Sequence, residues 1–264
     1  MVEEARPRGE MPFLDHLEEL RWRIVWSLLA VIIGVVVGFF LVTTFDVVGI
    51  LKRPVAPFLA VTNSRLVFTS PTEPILLTLK LAFAVGLLLA LPMLAYQLWA
   101  FLSPALFSRE RRVVLPAAVV AVLLFVAGAA MAYFWVLPVA LKVLFAFQSE
   151  SLSPLITADA YFGFATTVVL AFGLIFELPL VLSILVYLRV LSAATLIRFR
   201  RVAVVANAIF SAFLTPGPDV VSMVLMMLPV HLFYELSVVF ARVLERRRAS
   251  REAAAEGAAA ASGA

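Results

Sequence analysis

Glu177 is the residue whose placement most demands a chemical explanation. It stands in Phe172-Gly173-Leu174-Ile175-Phe176-Glu177-Leu178-Pro179, about halfway along an apolar run. An ionised carboxylate there costs several kcal/mol unless it is paired or wet. It could face a water-filled cavity, meet a polar partner helix, or be a protonated group bonded to a neighbour. Pro179 can break the local hydrogen-bond ladder and suits each of these readings. His231 and Glu235 fall at i, i+4, a spacing that could serve a metal. No third ligand stands in register and the chain has no cysteine, so a metal site is not expected. Glu19 can pair with Arg23 at i, i+4, and Glu110 lies between Arg109 and Arg111 as a neutralised loop charge. There is no nucleophile–base arrangement and no glycine-rich phosphate loop. The chain reads as a non-enzyme without a cofactor, and any work it does must be powered from elsewhere.

The elements that hold these residues are transmembrane helices. Of the 264 residues, 64% are hydrophobic and only 14% charged, far above the apolar share of a soluble domain. Several stretches exceed the roughly 18 residues needed to cross a bilayer. Backbone groups in hydrocarbon must be satisfied internally, so such runs mean helices. The alternation of a β-barrel strand is absent. The net charge of +4 is explained by topology and gives no reason to expect nucleic acid.

Six spans are predicted, at 24–45, 74–100, 114–141, 160–188, 202–214 and 220–241. The first is too long for the apolar core of a signal peptide and is expected to be retained. The fifth is too short to cross about 30 Å of hydrocarbon unaided, so the bilayer thins there or partner helices shield it. Pro92, Pro138, Pro179 and Pro229 read as kinks. The loop 46–73 is long, and Lys80, just inside span two, is placed to snorkel. Residues 1–245 form the transmembrane domain. Residues 246–264, charged and then rich in Ala, Gly and Ser, are expected to be a disordered cytoplasmic tail.

Lys and Arg set the orientation. Four precede span one, three follow span two, four follow span four and five lie in the C-terminal segment, against four in the opposite loops. The rich side is cytoplasmic, and an even number of spans puts both termini there. Ahead of span one, Phe13, Leu17, Leu20 and Ile24 share helical spacing and predict a short amphipathic helix in the interface.

Four motifs then occur in order: His16-Leu17-Glu18-Glu19-Leu20-Arg21; Tyr96-Gln97-Leu98-Trp99-Ala100-Phe101 continuing through Pro104 to Glu110-Arg111-Arg112; Phe176-Glu177-Leu178-Pro179 with Phe172 before it; and Thr215-Pro216-Gly217-Pro218-Asp219. With these the chain resembles the TatC family, receptor subunits of the twin-arginine protein translocase, over residues 11–242. The resemblance implies an all-α, multi-pass protein of a bacterial or archaeal plasma (inner) membrane. It further implies binding of twin-arginine signal peptides and export of folded proteins with the proton-motive force. The partners so implied are TatA/TatB-type single-span subunits, membrane lipid and further copies of the chain.

Residue by residue, the resemblance makes Glu19 and Glu110 the carboxylates that receive the arginine pair. Gln97 and Phe101 join them in the peptide site. Pro57, Glu177, Thr215 and Asp219 match positions in the outer loop, within span four and in the last turn. A carboxylate accepts the planar guanidinium fork bidentately, which an ammonium cannot imitate. Met223 stands where the family often has glutamine, so contacts made through that glutamine are not expected. A rival reading is a proton-coupled small-solute carrier using Glu177, and a blander one is a membrane scaffold without a site.

Overall fold

The computed structural model describes residues 13–61, 65–102, 114–146, 155–187, 189–214 and 220–262, nearly all of them helical. Helix α1 (Phe13–Thr44) is followed by two short helices, α2 (Val47–Lys52) and α3 (Ala56–Val61), and then by α4 (Glu73–Leu102). The third span joins α5 (Val114–Met131), a π-helical turn (Ala132–Val136) and α6 (Leu137–Ala146). The fourth comprises α7 (Ala158–Phe176) and α8 (Leu178–Tyr187), and α9 (Ala193–Arg198), α10 (Arg200–Leu214) and α11 (Val220–Ser262) complete the chain.

Among the described residues, five stretches are long and apolar enough to cross a membrane: Leu17–Thr44, Glu73–Leu98, Leu115–Ala146, Ala158–Tyr187 and Met226–Ser250. The expected fifth span is α10, whose 15 residues reach only about 22 Å at 1.5 Å per residue. Where six spans were expected, the structure has five helices of crossing length and a short one.

Two expectations are corrected. The amphipathic segment at the N-terminus is not a separate helix but the first turns of α1, because neither Gly nor Pro occurs between Phe13 and Ile33 to interrupt it. The segment 246–264, expected to be disordered, continues α11 to Ser262. It is rich in alanine, the strongest helix former, and alanine outweighs its few breakers.

The prolines act in different ways. Pro92 and Pro229 stand inside α4 and α11 without ending them. Pro138 cannot donate to the carbonyl of Phe134, and the π-helical turn just before it absorbs that missing bond. Pro179 coincides with the division between α7 and α8 at Glu177.

At the end of the molecule away from Glu19, side chains tie the outer segments down. The Tyr133 and Tyr161 hydroxyls donate to the carbonyls of Ile50 and Leu51, each at 2.6 Å. Val67 pairs with the strand-like residues before α7, donating to Ile156 O at 3.1 Å and accepting from Ala158 N at 2.7 Å. Buried Glu73 accepts from Thr69 N at 2.7 Å and Asp159 N at 3.0 Å. Lys80, expected to snorkel, meets Asp159 at 2.5 Å. Both side chains are exposed, so the ion pair adds little.

Helices α1 and α4 approach more closely than side chains would allow. A Cβ at Gly34 would lie 2.3 Å from Gly86 O, and one at Gly38 2.5 Å from Ala82 O. Gly34 and Gly38 face Gly86 and Ala82, so each helix presents small residues four apart and the two run antiparallel. From this contact the register of both helices follows. Eleven residues back along α1 from Gly34 is Arg23, and eleven forward along α4 from Gly86 is Gln97. Each step is three turns, about 16.5 Å, and returns to nearly the same face. Arg23 and Gln97 must therefore meet. Gly86→Val, whose Cβ would stand 2.5 Å from the Val35 backbone, should cost about 1–3 kcal/mol, read as a lower thermal midpoint in detergent. An unchanged midpoint would show that the helices can part freely.

Candidate functional site

The register of α1 and α4 brings a guanidinium between two of the predicted site residues. Arg23 Nε donates to Glu19 Oε1 at 3.0 Å, and Nη2 donates to the same oxygen. Arg23 Nη1 donates to Gln97 Oε1 at 3.1 Å. The side chains of Glu19 and Arg23 are each 22% exposed, and Gln97 is buried. This is a half-dry environment in which a charge-assisted bond is stronger than on the open surface. The i, i+4 pairing of Glu19 with Arg23 is thus present, but as one half of a three-residue arrangement. Arg23 itself was not anticipated as a site member. Its helical spacing from Glu19 was visible, whereas its meeting with Gln97 depends on the glycine contact three turns away.

The other predicted residues divide. Phe101, half-buried, lies one turn beyond Gln97 near the end of α4. Pro57 is exposed in the first turn of α3, beyond the opposite end of α1. Glu110, Thr215 and Asp219 lie outside the described residues. Met223 is partly buried in the first turn of α11.

Glu177 occupies the division between α7 and α8. Its backbone N–H donates to Leu174 O at 3.1 Å and its carbonyl accepts from Val181 N at 2.9 Å. Its Oε1 is buried and has no hydrogen-bond partner among the described residues. A carboxyl oxygen left so is a cost retained in the fold.

On the closing hairpin, His231 and Glu235 turn to different partners on α10. Arg200 Nη2 donates to Glu235 Oε2 at 2.6 Å, and Asn207 Nδ2 lies 3.4 Å from His231 Nδ1. Among the described residues no group of three or more potential metal ligands is assembled. What the described geometry can do chemically is hold a guanidinium at one end and keep an unsatisfied carboxyl in the apolar middle. Glu177→Leu should therefore stabilise the fold by about 1–3 kcal/mol, seen as a higher thermal midpoint in detergent; a lower midpoint would mean the carboxyl has a structural partner.

Comparison with known proteins places this architecture. The family model described as Sec-independent protein translocase protein (TatC) matches residues 15–229. The TatC protein of Carboxydothermus hydrogenoformans is 37% identical over 242 residues, covering 92% of this chain and 97% of that one. The TatC of Aquifex aeolicus is 37% identical over 240 residues, covering 90% and 98%. The crystal structure of the twin-arginine translocase receptor TatC in DDM superposes with a TM-score of 0.78 at 38% identity, covering 86% of this chain and 99% of that chain. Matched over most of its length by family, relatives and fold, this chain belongs to the TatC family of Sec-independent protein translocases.

Proposed function

We propose that the chain is the signal-peptide receptor and core subunit of a twin-arginine translocase, exporting folded proteins across the plasma membrane with the proton-motive force. Its relatives are named as translocase components, a transport role and not a catalytic one, and this sets the small-solute carrier aside. The observation that carries the receptor reading is the guanidinium of Arg23, held jointly by Glu19 and Gln97. The two side chains already form an acceptor set for a planar donor fork. An arginine of the signal peptide competes with Arg23 for them, and Glu110, from the resemblance, takes its neighbour. A lysine offers a point charge without the fork and cannot span both acceptors.

The magnitudes favour a strict reader. An exposed ion pair contributes only about 0–1 kcal/mol, but the partial burial here raises the cost of removing one partner toward roughly 2–5 kcal/mol. The apolar part of the peptide then adds affinity along the helices without specificity. Both termini face the cytoplasm in this reading, supported by the excess of arginine at the Glu19 end. The short α10, with Val202, Val205 and Ile209 exposed along one side, supports single-span partners of the TatA/TatB type and further copies of the chain as its covering. Glu177, Thr215, Asp219 and Pro57 are assigned to partner contact.

Glu19→Gln should weaken binding of a twin-arginine peptide to the purified protein by about 30-fold or more. Replacing the peptide's arginines by lysines should weaken binding to the unaltered protein similarly, and add little in the Glu19→Gln variant. Additive losses, or unchanged affinity in the variant, would remove Glu19 from the site.

A further inference from the structure

α8 closes on a Schellman turn in which Val190 N donates to Leu185 O at 3.0 Å and Arg189 N donates to Val186 O at 3.0 Å. The turn requires a left-handed residue, and Arg189 supplies it with φ 60°. Glycine or asparagine ordinarily takes this place, because a side chain with a Cβ is strained there. Strain kept at an arginine calls for a use of that side chain.

Arg189 borders a cavity of about 780 Å³ between the end of α8, α9 and α11, a volume within the roughly 300–1,000 Å³ range of small-molecule sites. Arg247 and Arg248 line it from α11. They are presented there only because α11 continues as a helix past residue 246. Arg248 is fixed by its bond to Tyr187 O at 3.0 Å and lies over the Tyr187 ring at 6.0 Å. Arg189 and Arg247 are exposed. The carboxylate in the lining, Glu245, accepts from Ala193 N at 2.8 Å, so it is engaged with α9. Among the described lining residues arginines outnumber carboxylates three to one, which makes the cavity cationic. Its wall toward the helix bodies is apolar, formed by Val186 and Leu244.

We propose that this cavity binds the phosphate-bearing headgroup of an anionic phospholipid. The ligand chemistry is that of a phosphate, for which arginine forks are matched acceptor-seekers. The lipid source follows from position. The cavity lies where two helices of crossing length, ending near Tyr187 and Ser250, meet at the arginine-rich end. Basic pockets between transmembrane helices at that level take anionic headgroups, and the apolar wall continues toward the acyl region. A cationic cavity repels an arginine-bearing peptide, so this site is separate from the Glu19–Gln97 acceptors and does not depend on the receptor reading.

The test uses the full-length purified chain in a neutral detergent, with phosphatidylglycerol or phosphatidylcholine added and bound lipid measured by native mass spectrometry. Phosphatidylglycerol binding should weaken about fivefold for each arginine removed in Arg189→Gly and Arg247→Gln, with phosphatidylcholine binding unchanged. Arg189→Gly should also hold or raise the thermal midpoint, since it relieves the left-handed strain; a purely structural arginine would not combine that with lost lipid. Arg247→Glu, on an exposed helix surface, gives an independent reading should Arg189→Gly fail to fold. Equal binding of the two lipids, or a phosphatidylglycerol preference that survives these changes, would overturn the proposal. Inorganic phosphate that displaces the lipid and itself binds in an arginine-dependent way would overturn the lipid source.

Discussion

The backbone-to-backbone approach of α1 and α4 at Gly34, Gly38, Ala82 and Gly86 decides where the polar groups at the arginine-rich end can be. Two helices of about 30 residues can slide and rotate against each other if only interchangeable apolar side chains separate them. Four small residues remove that freedom, because only one register lets the backbones meet. The consequence appears three turns away, where Arg23 and Gln97 come within 3.1 Å. Most of α1 otherwise faces outward, with Trp22, Trp26, Ile33 and Phe40 among its exposed residues. Its position is therefore set by this one seam more than by a surrounding core.

The rest of the bundle is built around a different compromise. The buried core formed by Phe162 and Phe172 with Leu137 and Val168 is apolar, and the outer segments are tied to it by Tyr133 and Tyr161. Against it stand groups that a fold optimised only for stability would not keep. These are the carboxyl of Glu177 at a helix division, the short α10 and the left-handed Arg189. Such features mark places where local rules yield to use.

Much of this was readable in the sequence, and the divisions are instructive. Apolar runs of 22 residues or more cannot be anything but helices in lipid, so the second, third and fourth spans were placed to within about five residues, whereas the first helix begins well before, and the last ends well after, the apolar run that announced it. The shortness of α10 followed from the same ruler. The i, i+4 spacing gave Glu19 with Arg23, and the motif at residues 96–101 pointed to Gln97. Their juxtaposition was not legible, because it depends on which faces of two helices touch, and Gly34 and Gly86 carry no hydropathy signal. The helical continuation of α11 was missed because charge and small residues were read as disorder, although alanine and arginine are good helix formers. The π-helical turn before Pro138 is a tertiary accommodation, and a proline alone predicts a defect without its form.

In the receptor reading proposed above, the glycine seam builds the acceptor for a peptide guanidinium. It is tested most directly by a twin-arginine peptide carrying a photoreactive residue beside its arginine pair, with the crosslinks mapped on the purified protein. The expected result is crosslinking to both α1 near residues 17–23 and α4 near residues 94–101, with the two lost together in Gly86→Val. Crosslinks confined to other segments, or the same pair of sites persisting after the helices are forced apart, would contradict it.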